Sequence, residues 1–379
     1  MDTVGHLIWQ NPDNPVKNDH AYTYTDKAWT NPYHAIQNLM IRTQLDRDGR
    51  TNGDFTTFNT FDDDALRSQQ HAVSPNMRSW IFDSEADCEL FFHTEVSNVV
   101  LAGWRNYPLV RQISHMKLLG SNDAESVDAT YLVGPYDNMT VIVIGEMKKN
   151  LINARVWQSG NIMGNSPQEK LSKELRAYAH NYQAPQVYCF DGETLLLLQF
   201  RASKAADILL NTVKVDCWVF PREKTNVPLR YALYMLLSQG FRRFQAMNAL
   251  PGPLSVGGFE SVERRFFDGR LIWRDMDNNK TLDYPGGYNR SVEGEVANVE
   301  VANVEVANVE EPVFIPRRDS TTEGDGYVLA LINDYAFMSS ELHLLDTNDF
   351  THALAVIKLP LRLRYGLYGN WVDAVETGK

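Results

Sequence analysis

The sequence predicts an α/β fold with a central mixed sheet over residues 79–250, followed by a small all-β segment at residues 311–379. The first observation is an apolar run rich in β-branched residues, at residues 140–144, which indicates a strand covered on both faces. The second is that helical and strand patterns alternate around this run. The third is that the C-terminal residues contain short strand patterns separated by tight turns.

The elements of the α/β part follow from local signals. Ser84 can cap a helix with Asp87 at its third position, and Ser166-Pro167 can open another. Gly134-Pro135 begins a turn between two strand patterns. The predicted elements are a helix from Ser84 towards Trp104, strands over 109–119, 126–133 and 140–148, a helix from about Ser166 to Tyr182, strands over 186–190, 194–200 and 215–220, and a helix over 226–247.

Charged residues follow the apolar strand and predict a site. Glu146 and Lys148 are spaced i, i+2, so their side chains share one face of the strand. A turn centred near Tyr136 places Asp128 roughly opposite Ile144, whose side chain points the same way as Glu146. One cation could then bridge both carboxylates. A plain surface ion pair would give the same pattern, and a register slip of one residue would turn Asp128 to the other face.

These residues resemble a known superfamily. Asp128 and the E-x-K motif in Gly145-Glu146-Met147-Lys148, with the helix and strands that follow, resemble the PD-(D/E)XK nuclease-like superfamily, and more closely its fungal branch of uncharacterised proteins. The resemblance covers about residues 79–247, with Val127 in place of the proline of the motif. It implies a restriction-endonuclease-like αβββαβ core.

The same resemblance implies a function and roles for these residues. Asp128 and Glu146 would bind Mg²⁺ or Mn²⁺, and Lys148 would balance phosphate charge during hydrolysis of nucleic-acid phosphodiesters. Glu95 is a weaker candidate for a third carboxylate, and Glu89 is placed equally well. The sequence leaves open whether catalysis is retained, since the same scaffold without it would be a nucleic-acid or protein binding module.

Charge gives two opposed indications about nucleic acid as a partner. The net charge of −12 and the pI near 5.2 argue against general adhesion to nucleic acid. Residues 146–245, however, hold fourteen Lys and Arg against eight Asp and Glu. This excess is consistent with a phosphate-binding face, and equally with solvated helix faces.

Composition bounds the remaining properties. The three cysteines show no C-x-x-C spacing and are predicted to be reduced and buried, as in an intracellular protein of the nucleus or cytoplasm. No apolar run suggests a membrane span, and the oligomeric state is not predicted. The predicted regions are a polar, partly disordered N-terminal region at 1–75, a nuclease-like domain at 79–250, an irregular extension at 251–294, a linker at 295–310 and a C-terminal fragment at 311–379.

The last two regions have their own signatures. The unit Glu-Val-Ala-Asn-Val repeats with period five over residues 295–310, which fits neither helix nor strand and predicts an acidic linker. Beyond it, the motifs E-P-x-F-x-P-R, E-G-D-G-Y and G-L-x-G-x-W resemble the end of the carotenoid oxygenase family, including its stilbene-cleaving members, over residues 311–374.

This second resemblance implies the edge of a seven-bladed β-propeller in which four histidines hold a ferrous ion. The last histidine of that family lies in G-L-H-G, where this chain has Tyr368. The other three ligands belong to blades that this chain lacks. We therefore expect no Fe²⁺ and no cleavage of carotenoids or stilbenes, so an inactive oxygenase-like protein is the third functional alternative.

Overall fold

The structure is a computed structural model, and the chain in it forms two units. One unit comprises residues 1–60 with 66–285, and the other residues 61–65 with 286–379. The domain boundaries derived from the sequence stay predictions. The residues described are 2–19, 21–22, 27–56, 58, 62–106, 108–117, 126–136, 138–248, 255–256, 259–277, 279–282, 307–309, 312–317, 324–334 and 339–358.

The helices are few and mostly short. Ser84 caps the helix that follows it, as predicted, by accepting a hydrogen bond from Asp87 N. The α-helices described are α1 (Val4–Ile8), α2 (Asp62–Ser68), α3 (Glu85–Phe91), α4 (Asn98–Leu101), α5 (Ala154–Gln158), α6 (Ser166–Asn181) and α7 (Leu229–Asn248), with 3₁₀ turns at Ala28–Thr30, Ala102–Trp104 and Ala205–Leu209 and a π-helical turn at Phe92–Ser97.

Strands account for most of the regular structure. Those of the first unit are β1 (Val16–Asn18), β2 (Asn38–Ile41), β3 (Thr43–Leu45), β4 (Thr51–Gly53), β5 (Trp80–Phe82), β6 (Arg111–Met116), β7 (Val127–Val133), β8 (Thr140–Met147), β9 (Gln186–Phe190), β10 (Thr194–Phe200), β11 (Lys214–Pro221), β12 (Ser255–Val256), β13 (Phe259–Arg264), β14 (Leu271–Asp275) and β15 (Thr281–Leu282). Those of the second unit are β16 (Ala307–Val309), β17 (Val313–Pro316), β18 (Gly326–Asp334), β19 (Ser339–Asp346) and β20 (Asp349–Lys358).

The first unit is organised around a seven-stranded mixed sheet in the order β2-β11-β10-β9-β8-β7-β6. The pairs β8–β9 and β11–β2 are parallel, and the other neighbours are antiparallel. Successive residues of β8 enter different apolar cores: Val143 packs with residues of α7, and Ile144 with residues of α6. The apolar run of β8 is therefore buried on both faces, which explains why it does not alternate with polar residues.

The predicted fold class, an α/β restriction-endonuclease-like αβββαβ core with a small all-β segment, is wrong. Strand residues outnumber helical residues in the described part of the chain, and the strands are arranged in five sheets. Among the described helices only α6 and α7 are longer than seven residues. Several strands, such as β3 and β4, have three residues and a polar composition. Such strands show no hydrophobic alternation, so the sequence pattern could not reveal them.

The hairpin of β7 and β8 differs from its predicted register. Ala129 pairs with Gly145 and Thr130 with Ile144, which places Asp128 opposite Glu146 rather than opposite Ile144. The pairs nearest the turn are one residue from the predicted register, and an irregularity between Tyr131 and Leu132 adds a second. Together these two shifts leave Asp128 on the face of Glu146 and bring it closer along the strand.

The second unit is an antiparallel sheet in the order β16-β18-β19-β20, with β17 also paired to β18. Arg317, at the end of β17, joins Asp325 through Nε at 2.9 Å and Asp346 through Nη2 at 2.8 Å. Within the predicted repeat linker, residues 307–309 are described, and they form β16.

Two further sequence expectations can be compared with the structure. Cys88, Cys189 and Cys217 are free and buried, which confirms the prediction for the cysteines. Among the described residues, the structure contains no helix that is long and apolar enough to span a membrane.

Candidate functional site: a buried charge cluster beside strand β8

The cluster begins with the two motif residues at the end of β8, Glu146 within the strand and Lys148 just after it. Glu146 and Lys148 are 2% and 1% exposed, so their charges lie in the interior. Lys148 Nζ donates to Glu146 Oε1, and Lys148 N donates to Phe190 O of the neighbouring strand at 2.9 Å. The structure therefore brings the predicted pair together as a buried ion pair.

Two charged residues that the sequence did not single out complete the cluster. Glu174 of α6 has Oε1 at 3.2 Å from Lys148 Nζ. Lys27, just before a 3₁₀ turn near the N-terminus, has Nζ at 2.6 Å from Glu174 Oε1 and 3.0 Å from Glu146 Oε1. Lys27 Nζ also donates to Tyr178 OH at 2.7 Å. Two ammonium groups thus face two carboxylates, and the formal charges balance.

Burial and ion pairing have opposite effects on the pKa of each of these groups. Burial raises the pKa of Glu146 well above its ordinary value, against the attraction of Lys148. Burial alone would also raise the pKa of Glu174, but Lys148 and Lys27 outweigh it and hold that pKa at about 2. Burial would lower the pKa of Lys148, yet Glu146 and Glu174 raise it well above its ordinary value. Glu174 is therefore the firmly ionised carboxylate of the cluster.

Asp128 has different partners from Glu146, although the two residues lie opposite each other. Its Oδ2 accepts a hydrogen bond from Met147 N at 2.7 Å, and its Oδ1 lies 3.5 Å from His115 Nδ1. His115 Nε2 in turn lies 3.4 Å from Glu89 Oε2. Burial raises the pKa of Asp128, and the hydrogen bond from Met147 opposes the shift. The structure thus places Asp128 in a group with Glu89 and His115.

Glu95, the weaker of the predicted metal ligands, lies elsewhere. It is fully buried, and its Oε1 accepts hydrogen bonds from Asn14 Nδ2 at 2.7 Å and Trp80 Nε1 at 2.9 Å. Arg230 Nη2 approaches Glu95 Oε2 at 4.0 Å. Glu95 therefore ties the N-terminal segment to the core and does not join Asp128 or Glu146.

The basic excess of residues 146–245 is partly internal. Five of its fourteen cations are buried, so they cannot contact the phosphates of a ligand at the surface. They are Lys148, Lys149, Arg176, Arg230 and Arg243. The interaction with nucleic acid stays a prediction.

Little in the sequence distinguishes the site residues that sequence reasoning missed. Lys27 lies in a polar stretch far from the motif, and only the folded chain brings it to Glu146, 119 positions away. Glu174 is one of several charged residues on α6, and its burial, which the sequence does not reveal, distinguishes it from Glu169, Lys170 and Lys173. His115 lies within a predicted strand, with no other potential ligand beside it in the sequence.

Comparison with known proteins identifies the C-terminal part. Residues 263–373 match the family described as retinal pigment epithelial membrane protein. Resveratrol cleavage oxygenase 1 of Aspergillus fumigatus is 73% identical over 69 residues, which are 18% of this chain and 14% of that protein. Carotenoid cleavage oxygenase 1 of Neurospora crassa is 59% identical over 67 residues, which are 18% of this chain and 13% of that protein. The C-terminal part is therefore carotenoid-oxygenase-like, while the chain spans about a seventh of the length of these relatives.

Solved structures give a weaker likeness. The cobalt-substituted apocarotenoid oxygenase of Synechocystis aligns with a TM-score of 0.19 at 15% identity, covering 49% of this chain and 38% of that chain. Lignostilbene dioxygenase of Pseudomonas brassicacearum gives a TM-score of 0.19 at 19% identity, covering 49% and 40%. Both TM-scores are too low to support an argument about the arrangement of this chain.

These findings correct the functional and cofactor predictions. The family match is to oxygenases, so the assignments of nuclease, hydrolase and magnesium-dependent protein are wrong. The prediction of Mg²⁺ or Mn²⁺, with Fe²⁺ not expected, is overturned by the same match, because the resemblance implies the ferrous ion of the oxygenase family.

The described residues of the matched segment do not fit that ion. His343 Nε2 lies 3.0 Å from Glu341 Oε2, and His352 Nδ1 lies 3.8 Å from Asp349 Oδ2. Each of these histidines thus faces a carboxylate of its own strand, and within the described residues they do not join a group of potential ligands. Tyr368 lies outside the described residues.

Proposed function

We propose that this chain is a carotenoid-oxygenase-like protein whose C-terminal segment keeps part of the oxygenase sheet but does not itself cleave double bonds. The observation that carries the proposal is the 73% identity over 69 residues to a resveratrol cleavage oxygenase of which the chain spans only 14%. Such identity supports descent from an enzyme of that class. The short span argues against a complete substrate channel and metal site.

One feature of the second unit supports an incomplete core. Large apolar side chains of β20, which ends the described order β16-β18-β19-β20, are exposed: Phe350 at 43%, Leu354 at 58% and Ile357 at 57%. Exposed apolar side chains grouped in this way are typical of a surface that packs against another part of a protein or against a partner.

The test is an activity assay on the full chain. The purified protein is supplied with Fe²⁺ and O₂ and incubated with resveratrol or a carotenoid, and aldehyde products are measured by chromatography. The resveratrol cleavage oxygenase of Aspergillus fumigatus serves as the positive control. We expect no product above the protein-free blank, and none from Tyr368→His, which restores one histidine of the four implied by the resemblance. Aldehyde formed by the wild-type chain would overturn the proposal.

A further inference from the structure

Three potential metal ligands from three elements of the first unit converge at one end of the central sheet. Glu89 comes from α3, and His115 and Asp128 come from the neighbouring strands β6 and β7. One ligand atom of each lies within 4.8 Å of the other two. In the pairing of β6 and β7, Ser114 is opposite Ala129 and Met116 opposite Val127, so His115 lies opposite Asp128.

Neighbouring groups leave one oxygen of each carboxylate directed at the imidazole. Glu89 Oε1 contacts His93 Nε2 at 3.2 Å, and Glu89 Oε2 faces His115. Asp128 Oδ2 is occupied by Met147 N, and Asp128 Oδ1 faces His115. The side chain of His115 is 58% exposed, whereas those of Glu89 and Asp128 are 16% and 21% exposed. An ion could therefore reach the group from solvent on the side of His115.

The local charge is negative. Lys27 and Lys148 form their ion pairs with Glu146 and Glu174, and among the described contacts neither forms an ion pair with Glu89 or Asp128. Glu146 lies opposite Asp128 in the next strand, and its Oε2 is buried without a hydrogen-bond partner. A buried carboxylate oxygen without a partner, in the residue opposite Asp128, is unfavourable unless a proton or a cation compensates for it. This oxygen is a second observation, independent of the three ligands, that is consistent with a cation bound beside Asp128.

We propose that Glu89, His115 and Asp128 bind a divalent transition-metal ion of the Zn²⁺ type, with water completing the coordination. Imidazole nitrogen combined with carboxylate oxygen suits Zn²⁺, whereas Mg²⁺ prefers oxygen ligands throughout. With metal–ligand bonds of about 2.0–2.1 Å, neighbouring ligand atoms in a tetrahedral site are about 3.3 Å apart. His115 contacts Glu89 through Nε2 at 3.4 Å and Asp128 through Nδ1 at 3.5 Å, and one ligand atom of each residue lies within 4.8 Å of the other two. A small rearrangement of the exposed His115 ring would be needed to bring a single nitrogen to the ion together with both carboxylates.

The ion would join α3 to the edge of the sheet. It binds the folded chain, in which the three ligands are close, and not the separated ligands of the unfolded chain. Zn²⁺ is therefore expected to raise the thermal unfolding temperature. The inference concerns the first unit and does not rest on the oxygenase-like proposal.

The experiment is calorimetric titration of the tag-free full chain with Zn²⁺, with Co²⁺ absorption as a second probe of the ligands. We expect one equivalent to bind, with affinity reduced more than about tenfold in His115→Ala and in Glu89→Gln. His343→Ala is the matched control, since it removes a histidine that faces a carboxylate, Glu341, in the other unit. This control is expected to bind as the wild type does.

Three results would overturn the inference: no Zn²⁺ binding by the wild type, unchanged binding in His115→Ala, or Mg²⁺ binding at the same site with equal affinity. If His115→Ala fails to fold, Glu89→Gln is compared with the wild type instead. Zn²⁺ must then raise the unfolding temperature of the wild type and leave that of Glu89→Gln unchanged, and an equal rise in both proteins would contradict the site.

Discussion

Lys27 Nζ lies 2.6 Å from Glu174 Oε1, so a residue near the N-terminus neutralises a carboxylate of helix α6 inside the first unit. The same ammonium reaches Glu146 Oε1 at 3.0 Å. The N-terminal segment therefore forms part of the cluster around β8. Removing either partner would leave an uncompensated charge in the interior, and such charges are costly.

Glu174→Gln is expected to destabilise the first unit by about 3–5 kcal/mol, because Lys148 and Lys27 would share the single carboxylate of Glu146. Urea unfolding followed by tryptophan fluorescence measures the loss. The matched control is Glu169→Gln on the same helix, which removes a partly exposed pair with Lys173. The control should change the free energy of unfolding by less than about 1 kcal/mol. Equal effects of the two substitutions would contradict the role given to Glu174.

The pKa of Glu174 predicts how stability depends on pH. Its value in the folded chain is about 2, below the ordinary 4.5, so the folded state binds the proton less readily than the unfolded state does. The stability from Glu174 is complete above about pH 4.5 and is lost as the pH falls towards 2. Acid unfolding of the wild type should therefore be steep in this window. The Glu174→Gln variant should show a shallower dependence, and an unchanged slope would refute the assignment.

Sequence reasoning found the residues of the site more readily than their partners. Glu146 and Lys148 were identified because strand periodicity places them on one face, and this relation is local. The contact of Glu146 with Lys27 joins positions 119 residues apart and depends on the complete fold. The register of Asp128 is two residues away from the prediction. The pairs nearest the turn, such as Leu132 with Val141, are one residue off, and the irregularity after Tyr131, which has no sequence signature, adds the second.

The sequence predicts the long elements of the fold, but it does not reveal the short strands. Strands β9 and β10 begin and end at the predicted residues, since their apolar runs are bounded by turn residues such as Asp191-Gly192. Strands β3 and β4 contain three residues each and are stabilised by pairing with each other, which composition does not reveal. The fold class could not be inferred correctly while such strands were overlooked.

Gly145 is expected to tolerate no side chain. A Cβ at this position would lie 2.1 Å from Tyr188 Cζ in the adjoining parallel strand. Gly145→Ala should therefore cost about 3 kcal/mol or more in the free energy of unfolding. The double variant Gly145→Ala with Tyr188→Leu should recover part of that loss in the same urea measurement. No recovery would mean that the backbone, and not the tyrosine ring, sets the requirement for glycine.

The three cysteines are expected to be unreactive in the folded protein. All are fully buried, and burial raises the pKa of Cys88 to about 12, which suppresses the thiolate. Titration with a thiol reagent should detect no thiol in the native chain and three after denaturation. Ser159→Cys, at an exposed position after α5, should add one rapidly reacting thiol and serves as the positive control. Rapid labelling of the native wild-type chain would show that a cysteine becomes exposed.

Arg317 is expected to hold the C-terminal sheet together, because its guanidinium joins the beginning of β18 to the end of β19. Nη2 reaches both oxygens of Asp346 at 2.8 and 2.9 Å, Nη1 donates to Tyr327 OH at 2.7 Å, and Nε donates to Asp325. The ammonium group of lysine cannot reproduce this planar fork, so Arg317→Lys should loosen the sheet.

Hydrogen exchange measured by mass spectrometry should show faster exchange in β18 and β19 of Arg317→Lys, with β8 of the first unit unchanged. Arg274→Lys removes a simpler contact with Glu260 and provides the matched control. The control should leave β18 and β19 as protected as in the wild type. If Arg317→Lys also left them unchanged, strand pairing alone would account for the stability of this sheet, and the interactions of Arg317 would be dispensable.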